Sequence, residues 1–192
     1  IPKLRGRNRT PPMEHLLEEA RALAESGVQE LIVIAQDITR YGMDLKDGST
    51  LAGLLRELCK LPFHWIRLHY LYPEAVTDEL ISVIANEPKI LHYLDIPIQH
   101  CNDGILTAMR RRSTRAEIEA LFAKLRAAMP DVVLRTSLIC GLPGEGEAEF
   151  EELCAFLKEQ KLQRAGVFQF SPEEGTLAQQ MENQVPPEVA EQ

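Results

Sequence analysis

Cysteine is scarce in this sequence, and the few cysteines lie far apart. The 192 residues contain Cys59, Cys101, Cys140 and Cys154, and no two of them have the CxxC spacing of a metal site or a redox pair. We therefore expect no metal ligands among these residues. Unpaired, dispersed thiols are typical of a reducing compartment, so we expect a cytoplasmic protein.

Long apolar runs and a net positive charge are also lacking. No run approaches the ~20 apolar residues that a bilayer span requires, and no signal peptide is visible, so we expect no membrane association. The net charge of -8 argues against attraction of the whole surface to nucleic acid. A hydrophobic content of 45% over 192 residues is that of an ordinary globular domain.

Several motifs that would define other chemistries are absent as well. No GxGxxG follows an early strand, and neither GxSxG nor GxxxxGK[ST] occurs. No lysine stands at the end of a predicted strand, which argues against Schiff-base chemistry. The missing GxGxxG, GxSxG and GxxxxGK[ST] motifs argue in turn against dinucleotide binding in a Rossmann fold, against acyl transfer and against nucleotide hydrolysis.

The sequence does contain a regular alternation of strand and helix patterns. Apolar runs at 31–35, 65–70, 93–98, 132–139 and 165–170 predict strands, and helical patterns lie between them. Such alternation predicts an α/β fold with parallel strands and right-handed crossovers. Either a barrel or a doubly wound sheet would fit this pattern.

Polar residues alternate with apolar ones inside three of these strands. With a period of two, Arg67 and His69 share one face of their strand, while Asp95 and Arg135 lie on the corresponding faces of the next two. We expect the acid to lie between the two arginines. Because a closed eight-stranded barrel fills its interior mainly with apolar side chains, this polar lining favours an incomplete, open barrel.

Each strand also ends in groups suited to ligand binding. The strand ends are Gln36-Asp37, His69-Tyr70, Gln99-His100, residues 140–145 and residues 170–172. In parallel α/β folds the ligand lies beyond the carboxyl ends of the strands, so we expect one shared pocket. Gly141 and Gly144 flank Pro143 and would let a ligand approach the backbone closely.

The order and spacing of these motifs carry a specific resemblance. Residues 94–100 (LDIPIQH), 139–145 (ICGLPGE) and 170–176 (FSPEEGT) together resemble the radical S-adenosylmethionine (SAM) core of the methylthiotransferases. Residues 1–7 resemble the segment that follows the CxxxCxxC cluster loop of that family. Residues 68–73 and 184–188 are most similar to the branch that modifies an aspartate of ribosomal protein S12. The branch that modifies an adenosine in transfer RNA is the alternative, and a cofactor-free α/β binding module is a second one.

The resemblance implies a chemistry and a set of partners. SAM binds a [4Fe-4S] cluster and is cleaved reductively to a deoxyadenosyl radical, which takes hydrogen from the aspartate β-carbon before a methylthio group is installed. A second [4Fe-4S] cluster participates in the full-length enzyme. Ribosomal protein S12, on the ribosome, would be the substrate, and a flavodoxin-type protein the electron donor.

The resemblance also implies roles for particular residues. Gln36 and Asp37 match the region that holds the methionine amino group, and Gln99 matches the ribose region. Ile139, Cys140 and Gly141 match backbone contacts to adenine, which Phe168 and Phe170 would also meet. The four charged or basic residues Arg67, His69, Asp95 and Arg135 would contact the methionine carboxylate or the substrate aspartate.

One departure from the family is important. No CxxxCxxC occurs in the 192 residues, so we expect the cluster cysteines to lie upstream of Ile1 and this piece alone to be inactive. The expected organisation is the tail of the cluster loop at 1–10, a partial (β/α)6 TIM-like barrel lacking its first strand at 11–178, and at 179–192 a linker toward an absent TRAM domain.

Overall fold

A computed structural model of the chain describes Gly6 and residues 9–191. Within that part lie five strands, β1 (Glu30–Val33), β2 (Trp65–Leu68), β3 (Ile90–Asp95), β4 (Val133–Cys140) and β5 (Arg164–Gln169). The α-helices are α1 (Met13–Glu25), α2 (Leu51–Cys59), α3 (Asp78–Asn86), α4 (Asp103–Ala108), α5 (Arg115–Ala128), α6 (Glu147–Gln160) and α7 (Pro187–Ala190). Most of the segment interpreted as the tail of a cluster loop, 1–10, lies outside the described residues.

The five strands form one parallel sheet in the sequential order β1-β2-β3-β4-β5. A doubly wound sheet would reverse direction at a switch point, and this sheet does not. Helices follow the strands and bury their apolar sides against one face of the sheet. The predicted α/β fold is confirmed, and the strand order selects the barrel-like alternative.

Threonine caps fix where three of the helices begin. The hydroxyl oxygens of Thr50 and Thr77 accept hydrogen bonds from the Gly53 and Leu80 amides at 3.0 and 3.2 Å. Thr114 forms a reciprocal capping box with Glu117, as the sequence predicts.

The alternation along β4 separates a covered face from an open one. Leu134, Thr136 and Leu138 are buried under the helices, whereas Arg135 and Ser137 are half-buried on the opposite face. That opposite face is called the concave face below. It carries the polar residues that alternate along the sequence.

The predicted boundaries of the third strand were wrong. The third strand was predicted at 93–98 but ends at Asp95, because Pro97 has no N–H for the ladder. The Thr136 hydroxyl bonds to the backbone on either side of Pro97 instead. It donates to the Ile96 carbonyl at 2.8 Å and accepts from the Ile98 amide at 3.2 Å.

Helix α4 was missed by the sequence reasoning because it is short. Its signal is Asn102, whose side-chain oxygen accepts from the Ile105 amide at 3.1 Å as an N-cap. None of the described helices has the length and apolar character needed to cross a membrane.

Candidate cofactor and substrate site

The carboxyl ends of all five strands meet at one rim, as the sequence predicts. Backbone hydrogen bonds join each loop to the next. They run from the Ile38 amide to the Tyr70 carbonyl (3.2 Å), Leu71 to Asp95 (2.9 Å), Gln99 to Ser137 (2.9 Å), Ile139 to Gln99 (2.9 Å) and Phe170 to Cys140 (2.8 Å). The predicted contact residues of separate strands are thereby held in a continuous surface.

Two residues of this rim have a positive φ angle, which is rare for residues other than glycine. Tyr70 has φ 61° and Gln99 has φ 71°, both in the left-handed region that favours glycine. Such conformations cost of order 1–3 kcal/mol and cluster at functional sites. Tyr70 was predicted at a strand end of the shared pocket without a role of its own, and this conformation, which no sequence pattern reveals, marks it as part of the site.

The two predicted contact residues at the end of β1 differ in how many hydrogen bonds their side chains make within the fold. Gln36 is exposed. The Asp37 carboxylate caps the 3-10 turn Ile38–Arg40, accepting from the Thr39 amide at 3.0 Å and from its hydroxyl. Burial raises the pKa of Asp37 above its usual range despite these hydrogen bonds. The Asp37 side chain is therefore occupied by the fold, which leaves its backbone for a ligand.

A buried polar pair connects the loops after β3 and β4. His100 is fully buried and its Nε2 lies 3.4 Å from Oε1 of Glu145, whose side chain is 4% exposed. The backbone N–H of Asn102 donates to His100 Nδ1 at 2.9 Å, so the ring proton is on Nε2 and is donated to Glu145. The other carboxylate oxygen of Glu145 accepts from the Leu142 amide at 2.9 Å.

This pair positions the glycine-rich loop relative to Gln99. Burial alone would raise the pKa of Glu145, but the hydrogen bonds from His100 and from the Leu142 amide outweigh it and lower the pKa. Sequence reasoning placed Glu145 in a motif without giving it a role. Its role follows from a contact between residues 45 positions apart.

Replacing Glu145 with glutamine should lower the free energy of unfolding by about 1–3 kcal/mol near neutral pH, since a buried charge-assisted network loses its anion. Ionised Glu145 stabilises the fold above the ordinary glutamate pKa, and that stabilisation disappears as the pH falls through the lowered pKa. Urea unfolding of both proteins should therefore show a stability difference that shrinks in acid. Glu151→Gln, on an exposed face of α6, is the control; an equal loss there would contradict the assignment.

The charged residues of the concave face form two separate pairs. Arg135 donates to Oδ1 of the fully buried Asp95 at 2.5 Å. Arg67 donates instead to Glu30 at 2.5 Å. The expectation that Asp95 lies on the strand between the two arginines agrees with the strand order, but Asp95 pairs with Arg135 alone, because Arg67 also faces β1 and pairs there with Glu30.

Aromatic rings complete the concave face. The Arg67 guanidinium lies 4.9 Å from the centre of the Tyr93 ring, a cation–π contact. Phe168, on β5, is 58% exposed and lies beside Gly166, where a Cβ would come within 3.6 Å of its ring. Tyr93 was not in the predicted site, whereas Phe168 was.

The cysteines do not form a metal centre in the part of the chain that the structure describes. No group of three or more His, Cys, Asp or Glu there could hold a metal ion. Burial raises the pKa of Cys140 to about 11 and that of Cys101 to about 12, so both thiols are protonated at neutral pH. These residues do not fit an iron–sulfur cluster.

The glycine-rich loop borders a cavity of about 620 Å³, within the range of small-molecule sites. Cys140 and Gly141 line one side, and the other side is lined by Asn183, Gln184, Val185, Pro186, Val189 and Ala190. Gly141 has φ 78°, and a Cβ there would lie 2.8 Å from that of Ala190. Glycine backbone on one side and the apolar side chains of Val185, Pro186 and Val189 on the other suit a flat, largely apolar ring.

A second cleft, of about 410 Å³, runs along the open edge of β1 between α1 and α2. Arg9 and Thr10 also line this cleft. The Thr10 amide donates to Asp44 at 2.8 Å, which ties the start of the described chain to the loop at 41–49.

The sequence is similar to that of known proteins. Residues 1–157 match the radical SAM superfamily. The ribosomal protein uS12 methylthiotransferase RimO of Anaeromyxobacter sp. (strain Fw109-5) is 52% identical over 187 residues, covering 97% of this chain and 40% of that protein. The corresponding protein of Myxococcus xanthus (strain DK1622) is 49% identical over 191 residues, covering 100% and 40%. The chain spans about 40% of the length of these curated relatives.

Solved structures support the fold independently. Coproporphyrinogen III oxidase (HemN) of Escherichia coli, a radical SAM enzyme, superposes with a TM-score of 0.69 at 18% identity, over 92% of this chain and 41% of that one. The radical SAM methyltransferase TsrM of Kitasatospora setae gives 0.65 at 15% identity, over 85% and 31%. At these identities the likeness concerns the fold alone.

Proposed function

The chain belongs to the radical SAM superfamily, and we propose that it forms the core of a methylthiotransferase that modifies the β-carbon of an aspartate in ribosomal protein uS12. The observation that carries this proposal is identity of about 50% over nearly the whole chain with uS12 methylthiotransferases from different bacteria. The sequence motifs after β3 and β4 support the same assignment. On this proposal the protein acts in the cytoplasm.

We propose that SAM lies along the rim and that two [4Fe-4S] clusters are held by parts of the protein outside these 192 residues. When bound, SAM and a reduced cluster supply a radical that can take a hydrogen atom from an unactivated carbon. The residues of this chain bind and orient. Exposed Gln36 and the Asp37 backbone would hold the methionine amino group, and Gln99 the ribose.

Adenine would lie against the backbone of residues 139–141. The cavity that Cys140 and Gly141 line supports this placement. Gly141 has a left-handed backbone and a Cβ there would lie 2.8 Å from that of Ala190, so glycine allows the two walls of the cavity to pack together. Phe168 and Phe170 would supply apolar surface, because Phe168 is exposed and the Phe170 amide is bonded to Cys140.

The concave face would receive the substrate loop. We propose residues 11–178 as the catalytic core and 179–192 as a linker toward a further domain. Ribosomal protein uS12 on the ribosome would be the partner, with a flavodoxin-type electron donor.

The test is a reconstitution of the protein, as its gene encodes it, with iron and sulfide under anaerobic conditions. We expect reduced protein and SAM to yield deoxyadenosine and to methylthiolate uS12, detected by mass spectrometry, while transfer RNA is unchanged. Methylthioadenosine in transfer RNA with unmodified uS12 would overturn the substrate. Absence of both deoxyadenosine and product would favour a cofactor-free binding module.

A further inference from the structure

Three consecutive arginines in the loop after α4 have no carboxylate partner. Arg110, Arg111 and Arg112, called the arginine patch below, form no salt bridge with any residue that the structure describes. Arg115, at the start of α5, differs from them because it contacts three glutamates, at 2.8, 3.0 and 2.9 Å. In a chain of net charge -8, the arginine patch is therefore a local excess of positive charge.

The acids of the neighbouring segments are bonded to other groups. Glu74 accepts a hydrogen bond from the Ser113 hydroxyl at 3.0 Å, and Asp103 accepts one from the Arg115 amide at 2.7 Å. Glu117 belongs to the capping box of α5. None of these carboxylates pairs with the arginine patch, so a binding partner can supply the anion.

The arginine patch lies beside the rim. The guanidinium carbon of Arg111 is 4.7 Å from the centre of the Tyr72 ring, a cation–π contact that holds the side chain without a counter-anion. Leu71, the residue before Tyr72, donates its amide to the Asp95 carbonyl at 2.9 Å. The patch therefore borders the ends of β2 and β3, next to the concave face that is proposed to receive the substrate loop.

Arg110 has a backbone conformation that favours glycine. Its φ is 59°, and it ends α4 in a Schellman motif, in which the Arg110 amide donates to the Thr107 carbonyl at 2.9 Å and the Arg111 amide to the Leu106 carbonyl at 2.8 Å. Glycine is the usual residue at this position because it adopts a positive φ without strain. An arginine there lowers stability, and residues held in such conformations cluster at functional sites.

We propose that Arg110, Arg111 and Arg112 bind phosphate groups of ribosomal RNA beside the uS12 segment that carries the target aspartate. The inference rests on the proposed function and deepens it, because it adds RNA as a partner of the same site. Guanidinium groups bind phosphates through paired N–H donors, and phosphate contacts fix the orientation of a protein on a nucleic acid. Because the chain as a whole is acidic and is repelled by RNA, a local basic patch determines which side of the protein faces the ribosome.

The test uses the protein as its gene encodes it, reconstituted with its clusters. Its affinity is measured for purified ribosomal subunits that contain uS12, and for free uS12, at several salt concentrations. A variant that combines Arg110→Gln, Arg111→Gln and Arg112→Gln should bind the subunits about 10- to 100-fold more weakly. The slope of log affinity against log salt concentration should fall by about 2–3, since each phosphate contact contributes roughly 0.7–0.9. The affinity for free uS12 should not change.

The matched control combines Lys158→Gln, Lys161→Gln and Arg164→Gln. It removes the same charge from exposed residues between the end of α6 and the start of β5, at the opposite end of the strands from the rim. Its salt dependence should equal that of the wild-type protein.

A single substitution separates RNA binding from stability. Arg110→Gly should raise the midpoint of urea unfolding, because glycine relieves the left-handed strain, and yet weaken subunit binding about 3- to 10-fold. Lys161→Gly is its control, since Lys161 also has a left-handed backbone at the end of a helix, with φ 46°. Lys161→Gly should raise the midpoint and leave the affinity for subunits unchanged.

The other outcomes have distinct meanings. If the three-glutamine variant of the arginine patch binds subunits as the wild-type protein does, or if the control variant loses as much affinity, the patch does not bind RNA. An equal loss of affinity for free uS12 would mean that the patch binds an acidic protein segment, and the proposal would be wrong. Wild-type protein that fails to bind subunits would also overturn it. Salt-dependent subunit binding through the patch, with uS12 left unmodified both free and in the subunit, would contradict the proposed function and leave the RNA contact in place.

Discussion

Replacing Arg135 with methionine should lower the free energy of unfolding by about 3 kcal/mol. The Asp95 carboxylate is fully buried, and removing its partner leaves a buried charge uncompensated, which costs roughly 3–5 kcal/mol. We expect the lower end of that range because the Arg135 side chain is 29% exposed and His69 remains beside Asp95. Urea unfolding followed by circular dichroism measures the change.

Two further variants separate the buried pair from an ordinary surface interaction. Arg67→Met removes the arginine of a pair whose side chains are 25% and 31% exposed, and should cost about 1 kcal/mol or less. Adding Asp95→Asn to Arg135→Met removes the stranded charge and should recover part of the loss. Equal losses in the two arginine variants, with no recovery in the double variant, would show that Asp95 is not held by this pair.

Replacing Gly42 with alanine should destabilise the chain by about 3 kcal/mol, combining left-handed backbone strain of roughly 1–2 kcal/mol with overpacking of about 1–3 kcal/mol. Gly42 has φ 83°, and a Cβ there would lie 1.9 Å from the Ser49 carbonyl oxygen. That oxygen belongs to the backbone, so no side-chain rotation relieves the clash. The loop at 41–49 must open instead.

The matched control is Gly48→Ala in the same loop. Gly48 has φ 79° with nothing within 4 Å of its Cβ position, so only the backbone strain applies and the loss should be about 1 kcal/mol. Hydrogen exchange should show faster opening of the loop and of Thr10, which Asp44 anchors, in the Gly42 variant alone. Similar exchange in both variants would mean that the contact with Ser49 is not the cause.

Much of the fold could be predicted because its signals are local. Thr77 and Thr114 marked helix starts, and the apolar runs gave five strands whose ends carry the candidate residues. The prediction of the third strand failed because of a contact distant in sequence. β3 ends early because Thr136, 40 residues away from Ile96, replaces the hydrogen bonding that Pro97 removes.

The candidate site was also predictable only in part. Glycines and polar residues at the strand ends indicated a shared rim, and the loops do meet there. The left-handed backbones of Tyr70 and Gln99 and the burial of His100 with Glu145 had no sequence signal. They are set by how loops from different strands pack together.

The sequence by itself determined the alternation of strands and helices, the polar face of the strands and the chemistry at their ends, because each depends on periodicity and residue type within a short segment. Only the tertiary structure decided the sequential strand order and which charges meet. Between β2 and β3 the register shifts, with Ile66 opposite Ile90 but Leu68 opposite Leu94. Because such a shift depends on packing of the whole sheet, the pairing of Arg67 with Glu30, and of Asp95 with Arg135 and His69, could not be read from spacing alone.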